Sequence, residues 1–169
     1  MARSYISEYA PEDYRSALSA IAVKNHEHAS VNPLAHFQST VDLQTATEAP
    51  MIADPLNLYD SCPISDGAAA VVLAAPHVDT TADRVRVRGV GAASDHLALQ
   101  TRASLHATAA TATAADRAFE AAALSRDDVA ILEVHDCFTI AAVLALEALG
   151  FYAAGEAREE ALRAETTSS

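Results

Sequence analysis

Residues 129–149 limit the fold most narrowly. An apolar run from Val129 to Val134, broken only by Glu133, meets the polar triplet HDC at residues 135–137. A longer apolar stretch then extends from Ile140 to Leu149. A short apolar run that stops at polar residues and resumes at greater length reads as strand, turn and helix. Two further stretches read as strands. Ala68–Leu73 is a continuous apolar run behind the Asp66-Gly67 turn signal, as a buried strand would be. Arg84–Val90 alternates charged and apolar residues, as a half-buried strand does. Between them and the HDC turn, Thr108–Leu124 is alanine-rich and reads as a helix, and residues 125–128 turn the chain into the last strand. Strand, strand, helix, strand and helix in this order argue for an α/β layered fold.

The N-terminal third is less regular. Pro11 to Tyr14 reads as a helix start, with proline near the first position and acids in the first turn. Tyr14, Ala17, Leu18, Ile21 and Ala22 then make an apolar stripe at helical spacing that ends near Asn25. Residues 29–60, interrupted by Pro33, Pro50 and Pro55, read as a long loop region, and long loops in compact domains are often functional.

Composition narrows the function classes. A chain of 169 residues favours one domain and is long enough to bury a core, although much of its 51% apolar content is alanine. The net charge is −12, and Lys24 is the single lysine. Such a surface repels phosphate backbones, which argues against nucleic-acid binding. It suits high ionic strength, where self-repulsion is screened, which fits a halophilic source, the plainer alternative being a merely acidic cytosolic protein. Two cysteines, Cys62 and Cys137, are too few for a disulfide framework or a zinc ribbon. No stretch reaches the roughly 18 apolar residues of a membrane span. The first residues are charged throughout and lack the apolar core of a signal peptide, so a cytoplasmic location is expected.

Three constellations carry chemistry. His135 stands where the strand Val129–Val134 ends, the side of an α/β sheet on which ligands collect. A histidine there can donate to a developing oxyanion or move a proton. The plainer alternative makes Asp136 the cap of the next helix and His135 a turn residue. The second constellation is Asp60–Gly67, whose Cys62 thiol and Ser65 hydroxyl could line a polar pocket mouth or simply lead into a buried strand. The third is His26, His28 and His36. On a helix, side chains two positions apart do not share a face, so no metal is expected there.

Four groups of residues, in one order, carry a resemblance. They are VKNH (23–26) with NPLAHF (32–37), MIADP (51–55), PISDGAAAVVL (63–73) and VHDCFT (134–139). The chain resembles the thiolase family, in the branch of sterol-carrier-protein-type thiolases and archaeal acetyl-CoA acetyltransferases, from about Tyr5 to Tyr152. Thiolases stack two similar α/β halves in α-β-α-β-α layers. The resemblance therefore implies an incomplete thiolase-like layered fold: residues 1–78 as the end of the N-terminal half with its loop region, and residues 79–169 as part of the C-terminal domain. It also implies the site. The HDCF motif gives His135 to an oxyanion hole, where other thiolases use NEAF, and places Phe138 beside the acyl pocket. Cys62 and Ser65 fall in the loop near coenzyme A.

The family's acylated cysteine, its GHP-type histidine and its C-x-G cysteine have no counterpart in these residues, and neither Cys62 nor Cys137 lies in a nucleophile motif. The expected function is thus a thiolase-like acyltransferase of the acetyl-CoA C-acetyltransferase type. It acts on acyl-CoA thioesters with no bound cofactor and is inactive as an isolated piece. The alternatives are a non-catalytic acyl-CoA-binding or assembly subunit and a truncated gene remnant. The partners expected are acyl-CoA, a complementary thiolase half or another thiolase-complex subunit, with a homo-oligomer left open.

Overall fold

The computed structural model describes residues 1–9, 12–75, 77–78 and 85–158. The start of the expected strand at Arg84, the boundary expected beside Asp79 and the tail after residue 158 lie outside the described residues. Five α-helices are described: α1 (Ala2–Tyr9), α2 (Tyr14–Ser30), α3 (Leu43–Thr47), α4 (Ala109–Ala122) and α5 (Thr139–Ala148). One small antiparallel hairpin joins β1 (Met51–Ala53) to β2 (Leu56–Asn57) across a cis Asp54–Pro55 peptide.

Helix α5 lies at the centre because its sequence is apolar on every side, which suits burial all round. Its Ile140, Val143 and Leu144 pack with Tyr5 of α1 and Leu18 of α2, and Tyr9, Tyr14, Ile21 and Leu56 close the periphery. Small residues bring α2 near: Ala17, Ser19, Ala20 and Ala22 are buried beside Leu18 and Val23. Glu147 then ties two segments to the C-terminal end of α5. One of its oxygens accepts from the Tyr5 hydroxyl at 2.6 Å and from the backbone N–H groups of Gly155 and Ala157. Burial, and next the hydrogen bond to Glu147, push the Tyr5 phenol well above its ordinary range, so it remains a donor at any physiological pH.

Helices α4 and α5 form close to where the sequence places them. Helix α2 continues past Asn25 to Ser30, where Ser30 Oγ donates back to the Glu27 carbonyl. The stretch 29–60, expected as loop, holds α3 and the hairpin. Helix α1 has no counterpart among the expected elements. It is held by two buried residues, Ala2 and Tyr5, too few to print a periodic stripe.

The largest difference concerns strands. Among the described residues, Ala68–Leu73, 85–90 and Val129–Val134 form no ladder. Segment 88–93 nevertheless shows a strand's alternation, since residues 89, 91 and 93 are part-buried while 88, 90 and 92 are exposed. Gly89 and Gly91 face the backbone of α4 at Ala118, Ala122 and Ala114 so closely that a Cβ on either would overlap it. A strand requires a neighbour, and sequence periodicity reports which faces want burial, not whether a partner strand is present.

Helix α4 ends on Ala123 in the left-handed region, φ 52°, where the N–H groups of Ala123 and Leu124 satisfy the last carbonyls. Glycine is the residue suited to that position, because an L-residue's Cβ crowds the following carbonyl. Ala123→Gly is expected to stabilise the fold by about 1 kcal/mol, read from a urea denaturation midpoint. A lowered midpoint would contradict it.

Candidate active-site wall

Two loops meet at the N-terminal end of α5. The backbone N–H of Cys62 donates to the Cys137 carbonyl at 3.1 Å, and Ser61 pairs with Phe138 in an isolated antiparallel bridge. The loop therefore starts beside the HDCF motif at Ser61 and Cys62. His135 is exposed and its ring takes no hydrogen bond among the described residues. Phe138 is 42% exposed and forms the N-terminal boundary of α5 without a side-chain cap. Asp136 does not cap the helix either; its carboxylate accepts from Asn25 Nδ2 at 2.6 Å, tying the motif to α2. Ser65 Oγ lies 2.7 Å from His36 Nδ1. His26 bonds the Ser39 carbonyl and sits between the rings of Phe37 and Tyr59, so the three N-terminal histidines are spent on loop packing or exposed.

What holds the two loops together is a buried carboxylate that sequence reasoning did not single out. Asp60 is 1% exposed and accepts four hydrogen bonds. Arg15 of α2 forms a two-pronged pair with it at 2.6 and 2.7 Å. The Asn57 backbone N–H donates at 2.7 Å, and the Thr139 hydroxyl, on the first residue of α5, donates at 2.6 Å. Four donors fill the acceptor capacity of one ionised carboxylate. Buried Asn57 extends the network by donating from Nδ2 to the Ala46 carbonyl of α3. One local signal was available: Asn57 and Asp60 have the spacing of a reciprocal cap, which they form around a short helical turn at 58–60. Arg15 and Thr139 are 45 and 79 residues away in sequence, and no local pattern announces them.

Chemically, the wall offers an unengaged imidazole and an exposed aromatic ring beside a polar loop. A neutral imidazole can donate one N–H to an oxyanion. Nucleophilic chemistry also needs a thiolate with a base in reach. Cys62 is exposed and Cys137 half-buried, and neither sulfur has a hydrogen-bond partner among the described residues.

Comparison with known proteins identifies the family. Residues 91–168 match the thiolase C-terminal domain-like family. The chain is 43% identical over 161 residues to an acetyl-CoA acetyltransferase of Methanothermobacter thermautotrophicus, a match that covers 92% of this chain and 41% of that protein. It is 30% identical to sterol carrier protein 2 of Gallus gallus, covering 81% of this chain and 26% of that one. Among solved structures, an aldolase described as Ltp2-ChsH2(DUF35) superposes with a TM-score of 0.83 at 22% identity, over 98% of this chain and 45% of that chain, which supports the fold. The chain belongs to the thiolase family and spans about two-fifths of the length of its archaeal acetyltransferase relative.

Proposed function

We propose that this chain supplies one wall of a thiolase-type acyltransferase site acting on acyl-CoA thioesters, in the manner of an acetyl-CoA C-acetyltransferase. In this reading His135 donates to the thioester oxyanion, Phe138 borders the acyl group, and Cys62 and Ser65 border the coenzyme A arm. The nucleophilic cysteine and its base come from polypeptide outside these residues. The observation that carries the reading is the backbone pairing of Cys62 with Cys137, which sets the loop and the HDCF motif side by side with the His135 ring unengaged. No helix among the described residues is long and apolar enough to cross a membrane, and a cytoplasmic site of action belongs to the same proposal.

The test follows loss of the acetoacetyl thioester with free coenzyme A. The isolated chain is expected to show no thiolysis above background, and turnover is expected once polypeptide carrying the remaining thiolase motifs is present. Turnover by the isolated chain that vanishes in Cys137→Ser would identify Cys137 as the nucleophile and overturn this assignment. The unpartnered thiols favour a second reading, a non-catalytic acyl-CoA-binding subunit. Stoichiometric coenzyme A binding by equilibrium dialysis, with no turnover in any combination, would select it.

A further inference from the structure

The antiparallel bridge between Ser61 and Phe138 fixes the register of the residues beside it. One step along each segment, in opposite directions, brings Cys62 opposite Cys137. The bond from the Cys62 N–H to the Cys137 carbonyl is one that this register requires. Residues directly opposite in an antiparallel pair turn their side chains to the same face. In a hydrogen-bonded pair their Cα atoms stand about 5.5 Å apart, inside the range of about 4.4–6.8 Å that a disulfide spans. Both thiols are free, and they belong to the chain's only two cysteines. Cys62 is exposed and Cys137 is half-buried. The joint is also firmly held. The buried Asp60 carboxylate, next to Ser61, accepts from Arg15 of α2 and from the Thr139 hydroxyl, next to Phe138. Two cysteines far apart in sequence are thus brought together by folding itself, which removes the entropic cost of closing the loop between them.

We infer that Cys62 and Cys137 form a reversible thiol–disulfide site whose oxidant is a small disulfide of the glutathione class. Cys62 is the sulfur that attacks, because it is the exposed one, and Cys137 is the sulfur that resolves. In the first step the Cys62 sulfur attacks one sulfur of glutathione disulfide. The glutathione S–S bond breaks, and the first glutathione leaves with the proton that Cys62 gave up. In the second step the Cys137 sulfur attacks Cys62 Sγ and breaks the mixed disulfide. The second glutathione leaves with the Cys137 proton. Two protein thiols are oxidised, and one glutathione disulfide is reduced by the same two electrons. Exposed disulfides are the labile class, so excess small thiol reopens the bond. Closing it ties the loop covalently to the HDCF motif and removes both thiols of the candidate wall at once. The inference stands apart from the acyltransferase proposal, because the bond forms or fails whatever the chain binds.

The experiment equilibrates the purified full chain in buffers of reduced and oxidised glutathione. Its state is read by intact mass, free-thiol titration and peptide mapping. Oxidation is expected to remove two hydrogens from a monomer and both free thiols together. One linked peptide pair should join Cys62 to Cys137, and dithiothreitol should reverse the change. Half-oxidation of the folded chain should need at least about tenfold less oxidising glutathione than that of the chain in urea, where the same link must close a long flexible loop. Cys137→Ser should hold glutathione on Cys62 as a stable mixed disulfide, since the resolving sulfur is gone. Ser61→Cys with Cys62→Ser moves the thiol by one residue, onto the opposite face of the pairing, and should form no link to Cys137. A wild type that collects glutathione on either cysteine without linking overturns the inference. So does a disulfide-linked dimer, and so does a link that forms as readily in urea. A thiol moved to position 61 that links as well as Cys62 does would overturn it too.

Discussion

Asp60→Ala is expected to lower the stability of the chain by about 3–5 kcal/mol, the range for breaking a buried ion pair from one side. The Asp60 side chain has no solvent exposure and Arg15 has little, so the lone guanidinium would have scant water to replace its partner. The Asn57 N–H and the Thr139 hydroxyl would lose their acceptor in the same step. Each of these groups sits on a different element, and the loss therefore spreads beyond one contact. The hairpin, α2 and the start of α5 are joined through this carboxylate, and the Cys62–Cys137 pairing stands directly beside it. Asp60→Asn keeps one acceptor oxygen and should lose less, though it cannot hold both prongs of Arg15. The double variant Arg15→Met with Asp60→Ala should recover part of the loss, because no unpaired charge remains. Urea denaturation of the four proteins measures these differences. A loss under about 1 kcal/mol for Asp60→Ala would show that the network is more hydrated than its geometry implies.

The same network shows where sequence reasoning reaches its limit. The HDCF motif and the helix behind it are legible because strand end, polar turn and apolar helix follow one another within about twenty residues. The Asp60–Gly67 loop is legible as a polar entry to an apolar run. Their meeting is not, because Cys62 and Cys137 touch only through tertiary folding, and Arg15 is selected by shape at long range. Asp136 shows the opposite failure. Its position just before a helix suggested a cap, but the bond to Asn25 uses its carboxylate elsewhere. The strands fail for a third reason. Val71 to Leu73 and Val85 to Val90 state a demand for burial that the described residues do not meet, and a pattern states that demand whether or not the ladder forms.

Those uncovered stretches bear on the second large effect, the catalytic loss expected from His135→Ala in the completed enzyme. In the acyltransferase reading, negative charge builds on the thioester oxygen as the tetrahedral intermediate forms, and His135 is aimed at that charge. Removing one such donor typically costs about 2.7–4 kcal/mol of barrier, a fall of roughly 10²–10³ in turnover. Coenzyme A affinity should change little, because the donor acts on charge that is absent in the ground state. Stability should also be unchanged. The His135 ring is exposed and makes no hydrogen bond among the described residues, so its loss leaves no buried group orphaned. This separates His135 from Asp60, whose replacement would reduce activity by loosening both loops and would lower the denaturation midpoint with it. His135→Asn keeps an N–H donor at a shorter reach and should retain part of the lost rate. The assay is thiolysis of acetoacetyl-CoA by the assembled enzyme, with turnover and coenzyme A affinity measured separately and a urea midpoint for each variant. A fall of less than about tenfold in His135→Ala, with midpoint and affinity intact, would remove the imidazole from the oxyanion hole. It would leave Phe138 and the Cys62–Ser65 loop as a binding wall alone.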